Sequence, residues 1–127
     1  MSAKGQMEKP TIKARFVLDD AGQPVKFERG GVDHYKIDLQ IEGAPATTYA
    51  VTYMLDETYY ERVRESREEG NFKEELTSYG DYVIQAKIRS PSGIETIAAP
   101  LSGALEMGHA GETSPAIQQA LSDIKAR

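Results

Sequence analysis

The sequence predicts an all-β protein, an immunoglobulin-like antiparallel β-sandwich followed by one short C-terminal α-helix. Four observations predict it. Short stretches alternate apolar and polar residues with the two-residue period of a half-buried strand, and turn signals rich in Gly, Pro and Asp recur about every ten residues. No helical period lies between them until the last fifteen or so residues. Large apolar residues are scarce, with three Phe and no Trp beside seven Tyr, which suits the thin core between two sheets.

Each element has its own signal. Residues 1–10 are polar and read as a flexible tail. Residues 11–18 alternate Ile12, Ala14, Phe16 and Leu18 against Thr11, Lys13 and Arg15, the pattern of a strand with one dry face. Residues 19–24 (DDAGQP) turn, residues 25–28 form a short strand, and Gly30–Gly31 break it. Residues 32–41 give the clearest strand, with Tyr35, Ile37, Leu39 and Ile41 on one face and His34, Lys36, Asp38 and Gln40 on a wet one. Tyr49, Val51, Tyr53 and Leu55 share a face in residues 47–55. Residues 56–70 are charged and irregular, with room for a helical turn, and residues 72–76 form a short strand. Residues 82–88 alternate again, and SPSG at 90–93 makes a hairpin turn. Residues 94–105 read as a last strand or pair of strands, interrupted or bulged at Pro100. The sandwich spans 11–106 on this reading and a Gly-rich linker spans 107–113. A helix over 114–127 has Ser114 as N-cap, Pro115 at its first position, and Ile117, Ala120, Leu121 and Ile124 as its apolar stripe. So short a helix needs that stripe docked, either on this domain or on a partner.

Composition narrows the functions. A length of 127 residues fits one domain. The net charge of −5 disfavours nucleic-acid backbone or an anionic membrane as main partner and tolerates basic protein segments. The chain has no cysteine, which removes disulfides, thiolate nucleophiles and cysteine metal sites and agrees with a cytoplasmic setting. No apolar run approaches the length of a membrane span, and the polar start MSAKGQMEKP is no signal peptide. Nucleotide-binding loops and a nucleophile elbow are missing. His34 and His109 stand far apart and read as surface residues, and the carboxylates of residues 56–75 are interleaved with Arg62, Arg64, Arg67 and Lys73 as on a solvated surface. The expectation is therefore a protein that is not an enzyme, with no catalytic residues, no metal and no cofactor.

What remains is aromatic. Tyr35, Tyr49, Tyr53 and Tyr82 fit core positions, whereas Tyr59, Tyr60 and Tyr79 lie outside the alternating runs, in the loops LDETYY and TSYGDY. A loop tyrosine offers a ring face to a ligand and keeps its hydroxyl wet. Such rings either flank a flat or cationic group or simply lid the sandwich.

The order of these pieces resembles the YEATS domains. Their pattern is a strand leading into Leu-His-x-Ser/Thr-aromatic, then a charged connector. A Phe-containing strand, a Gly/Ser-aromatic-Gly/Ala turn and a further strand complete it. The corresponding residues are Tyr53-Met54-Leu55-Asp56-Glu57-Thr58-Tyr59 and the run from Phe72 through Ser78-Tyr79-Gly80-Asp81-Tyr82. The chain looks most like the prokaryotic YEATS-like branch, whose members occur with bacterial signalling and defence modules. The resemblance implies a reader of acylated lysine. In it Tyr59 and Tyr79 sandwich the acyl amide, Thr58 hydrogen-bonds it, and Ser78 and Gly80 flank the second ring. Asp56 departs from the pattern by standing where the readers have His; either it lines the cleft, where its negative charge beside the rings points to a cationic side chain as the competing ligand, or it turns outward and caps the following turn. The expected partner is a protein or peptide, basic or carrying modified lysine. The alternative is a structural or adaptor sandwich whose tyrosines only cap the fold.

Overall fold

The computed structural model describes residues 9–59 and 61–126. The expected tail falls almost wholly outside them, as does Tyr60. Strands β1 (Thr11–Phe16), β2 (Lys26–Arg29), β3 (Val32–Glu42) and β6 (Glu74–Ser78) form one antiparallel sheet, in which β1 and β2 pair successive halves of one edge of β3 and β6 pairs the other. Strands β5 (Val63–Ser66), β4 (Ala50–Met54), β7 (Val83–Ser90) and β8 (Gly93–Pro100) form the second, in that order. Two helices close the chain, α1 (Leu101–Gly108) and α2 (Pro115–Lys125).

The alternation decides which faces meet. Ile12, Ala14 and Phe16 of β1 and Tyr35, Ile37, Leu39 and Ile41 of β3 are buried against Val51 and Tyr53 of β4 and Ile84, Ala86 and Ile88 of β7. Their polar neighbours in sequence face outward, as a period of two requires. The Tyr53 hydroxyl donates to the carbonyl of Phe72 at 2.7 Å and so ties β4 to the connector that leads into β6. Phe72 itself is buried in a left-handed conformation (φ 52°), where its ring's packing offsets backbone strain.

Four expectations need correction. Residues 101–108 are helix rather than strand and linker, so there are two helices. Pro100 ends β8, and Leu101, Ala104 and Leu105 then form a buried stripe of helical spacing. Part of the charged connector is the edge strand β5, because Val63–Ser66 pairs with β4. Tyr49 precedes β4 and is exposed. His109 is not on the surface.

His109 is 2% exposed and holds the helices to the sandwich. Its Nε2 accepts the Phe16 amide N–H at 3.0 Å, and its Nδ1 lies 3.1 Å from a Glu112 carboxylate oxygen. These partners fix the tautomer, with the proton on Nδ1. Arg15 donates to Glu112 at 2.8 Å and to the carbonyl of Gly108. The Glu112 carboxyl lies below its ordinary pKa, first through Arg15 and then through His109. A carboxyl lowered in the folded state contributes stability above its unfolded pKa, about 4.3, and loses that contribution as pH falls through the folded value. In thermal melts from pH 7 to pH 3, the advantage of the wild type over Glu112→Gln is therefore expected to shrink as pH drops below about 4.3.

Helix α2 docks in cis. Ile117, Ala120, Leu121 and Ile124 are buried, and the Tyr35 hydroxyl donates to Asp123 at 2.5 Å. Burial, followed by Asp123, pushes the Tyr35 pKa well above normal. Ser114 occupies the N-cap, although its side chain makes no cap hydrogen bond.

Candidate functional site

The loops singled out by their tyrosines meet at one end of the sandwich. The β4–β5 connector carries Asp56, Thr58 and Tyr59, and the β6–β7 connector begins at Tyr79 and Gly80, just past Ser78. All of these line one cleft of about 420 Å³.

Asp56 shapes its own loop. Its carboxylate accepts the Thr58 amide N–H at 2.9 Å while its carbonyl accepts that of Tyr59 at 3.0 Å, a turn that Asp side chains favour. The Thr58 backbone N–H is the main reason the Asp56 carboxyl sits below the ordinary range. Thr58 is exposed at the lip. Ser78 does similar work opposite, donating to the Gly80 carbonyl at 2.7 Å and accepting the Gly80 N–H at 3.2 Å.

The two rings have different neighbours. Tyr59 is half-buried, and its hydroxyl donates to the Thr77 carbonyl at 2.6 Å. It continues a row of side chains that satisfy the outer edge of β6: Ser66 donates to the Lys73 carbonyl at 2.9 Å and Arg64 to the Glu75 carbonyl at 2.7 Å. The Tyr59 ring lies 5.6 Å from that of Tyr82, tilted by 54°, with the Arg64 guanidinium 5.9 Å over it. Burial raises the pKa of both phenols, that of Tyr82 the more, so both are neutral at physiological pH. Tyr79 is 50% exposed and leans on His34, with centroids 5.1 Å apart. His34 in turn stacks on Phe27 at 5.3 Å and 14°, and the Arg29 guanidinium lies 5.5 Å over Phe27. One wall of the cleft is thus the Tyr59–Tyr82 pair and another the stacked row ending in Tyr79.

Sequence reasoning missed Arg29, His34, Thr77, Asp81 and Tyr82, which also line the cleft. A signal for two of them exists in Gly30–Gly31. A tight turn there pairs Arg29 with Val32 and Phe27 with His34, as observed, and brings both strand ends to this end of the sheet. The Asp81 carboxylate, like that of Asp56, is taken up by the protein, accepting the backbone N–H (2.9 Å) and hydroxyl (2.7 Å) of Ser102 in the first turn of α1. Among the described residues no cluster of His, Asp and Glu could hold a metal ion, and no helix is long and apolar enough to cross a membrane.

Compared with solved structures, the chain is similar to one described as the Yaf9 YEATS domain recognizing an H3K122suc peptide. The TM-score is 0.54 at 16% identity, covering 90% of this chain and 91% of that one. The fold is that of a YEATS domain. No protein-family model matches the sequence, and no curated protein does. Within this YEATS fold the first motif loop joins β4 and β5 of one sheet, and the second crosses from β6 of the other sheet to β7 of the first. The cleft therefore opens where the sheets part, walled by both.

Proposed function

We propose that this chain is a non-enzymatic recognition module that holds a peptide through a modified lysine in the aromatic cleft. The observation that carries the reading is the convergence of Tyr59 and Tyr79, from the β4–β5 and β6–β7 connectors, on one cleft of about 420 Å³, with the Tyr59 hydroxyl engaged by the protein so that its ring can serve as a surface. The YEATS neighbour was solved with an H3K122suc peptide, which supports a peptide ligand.

Charge in the cleft sorts the candidates. The Asp56 carboxylate is taken up by the Thr58 amide, which favours its role as a turn former over that of a cation anchor. Arg29 has no carboxylate partner among the described residues and stands on the stacked wall. An acyl group with an acidic tip gains from it what unmodified lysine loses. Assignment to the prokaryotic branch, with a cytoplasmic signalling or defence setting, rests on the motif resemblance and the cysteine-free composition.

Calorimetric titration of matched lysine, acetyl-lysine and succinyl-lysine peptides tests the reading. The acylated peptides are expected to bind more tightly than lysine, and Tyr59→Ala to weaken them tenfold or more, about 1.4 kcal/mol. Asp56→Asn, which keeps an acceptor for Thr58, is expected to leave their affinity within about threefold. Tighter binding of unmodified lysine would reinstate Asp56 as a cation anchor. Absence of binding by every peptide would favour the adaptor alternative.

A further inference from the structure

The free edges of the two sheets are protected unequally. Strands β2 and β5 are four residues each and charged, KFER and VRES. Helix α1 covers β1, its last turn lying on the Ala14 backbone. The outward carbonyls of β6 at Lys73, Glu75 and Thr77 are taken by Ser66, Arg64 and Tyr59. Natural sheets blunt their edges by such means.

Strand β8 has little of this protection. It runs eight residues, GIETIAAP, with Glu95 as its one charge, and is exposed over most of its length. The two-residue turn between Ser90 and Gly93 sets the hydrogen-bonding phase of the hairpin. Glu95, Ile97 and Ala99 exchange hydrogen bonds with Ile88, Ala86 and Ile84 of β7, so the N–H and C=O groups of Ile94, Thr96 and Ala98 point away from the sheet. Among the described residues nothing bonds to them.

We propose that β8 is a docking edge for a second copy of this chain, the two β8 strands pairing antiparallel about Thr96. The strand's own register selects this occupant. With Thr96 opposite its counterpart, Ile94 faces the second copy's Ala98 at both ends, giving about six backbone hydrogen bonds from three facing pairs. Each Glu95 then lies opposite an Ile97, and the central threonines form a favourable cross-strand pair. Sliding two residues one way sets the Glu95 side chains directly against each other. Sliding two the other way sets Pro100, which has no N–H, against Ile94. One register thus satisfies the strand without a like-charge pair or a missing donor, and it is two-fold symmetric, as an isologous dimer requires. It joins the four-stranded sheets of two molecules into one.

The chain's lack of cysteine makes the test direct. Thr96→Cys places two thiols on a facing pair whose Cα atoms are about 5.5 Å apart, within disulfide range. Mild oxidation is expected to give a covalent dimer, while Val63→Cys, also exposed but on β5, stays largely monomeric. By sedimentation the wild type is expected to dimerise with rising concentration, and Thr96→Lys to stay monomeric with its melting temperature within a few degrees of wild type. A wild type monomeric to about 1 mM, or a dimer that Thr96→Lys and Thr96→Cys leave unaltered and uncross-linked, overturns the proposal. So does a monomer that binds an extended peptide of other sequence along β8. If Thr96→Lys does not fold, the cross-linking comparison alone decides.

Discussion

Gly108→Ala is expected to lower the melting temperature by about 10 °C. Gly108 ends α1 where the helix lies directly on β1, and a Cβ built there would overlap the carbonyl oxygen of Ala14. The obstacle is backbone in a paired strand, Ala14 opposite Leu39, so it cannot rotate aside. The Arg15 side chain is wedged against the same point and donates to the Gly108 carbonyl. The helix must back away, loosening Leu101, Ala104 and Leu105 from the core and drawing His109 off the Phe16 amide. Overpacking of this kind costs about 3 kcal/mol. A melting temperature within 2 °C or so of wild type would mean that α1 is not held as described.

Truncation after Glu112 is expected to cost more, about 5 kcal/mol or above, from the burial of Ile117, Leu121 and Ile124 at about 1.5–3 kcal/mol each. Small domains are stable by only about 5–15 kcal/mol, so the truncated chain should melt far below the full one or show no cooperative transition by circular dichroism. The loss includes the Tyr35–Asp123 hydrogen bond, which leaves the Tyr35 hydroxyl without its partner. An unchanged transition would show α2 to be a spectator of the domain.

The sandwich was legible because its central strands alternate cleanly. Tyr35, Ile37, Leu39 and Ile41, or Ile84, Ala86 and Ile88, need no tertiary information to be assigned to one face. Strand β5 was not legible, because Val63–Ser66 is a charged edge whose pairing with β4 is a tertiary fact. Helix α1 was hidden by the apolar run ITIAAPLSGAL, in which strand and helix periods are hard to tell apart. Pro100 read as an interruption of a strand when it marked the start of a helix. His109 misled because a Gly-rich neighbourhood suggests exposure, while its acceptor role depends on Phe16, distant in sequence. In the site, the motif carried Asp56, Thr58, Tyr59, Ser78, Tyr79 and Gly80 to one cleft, but the stacked row of Phe27 and His34 depends on strand register, which aromatic spacing alone does not reveal.

The bond from Asp81 to Ser102 joins the loop that bears Tyr79 to the first turn of α1, and the far end of α1 is tied to β1 through His109. The loop and the helical pair therefore form one mechanical unit. If the cleft binds as proposed above, the part of a ligand's free energy that depends on the Tyr79 loop being held to α1 is matched by an equal tightening of α1 on the sandwich, because such coupling is reciprocal. On that proposal, helix α1 is a second handle on the cleft.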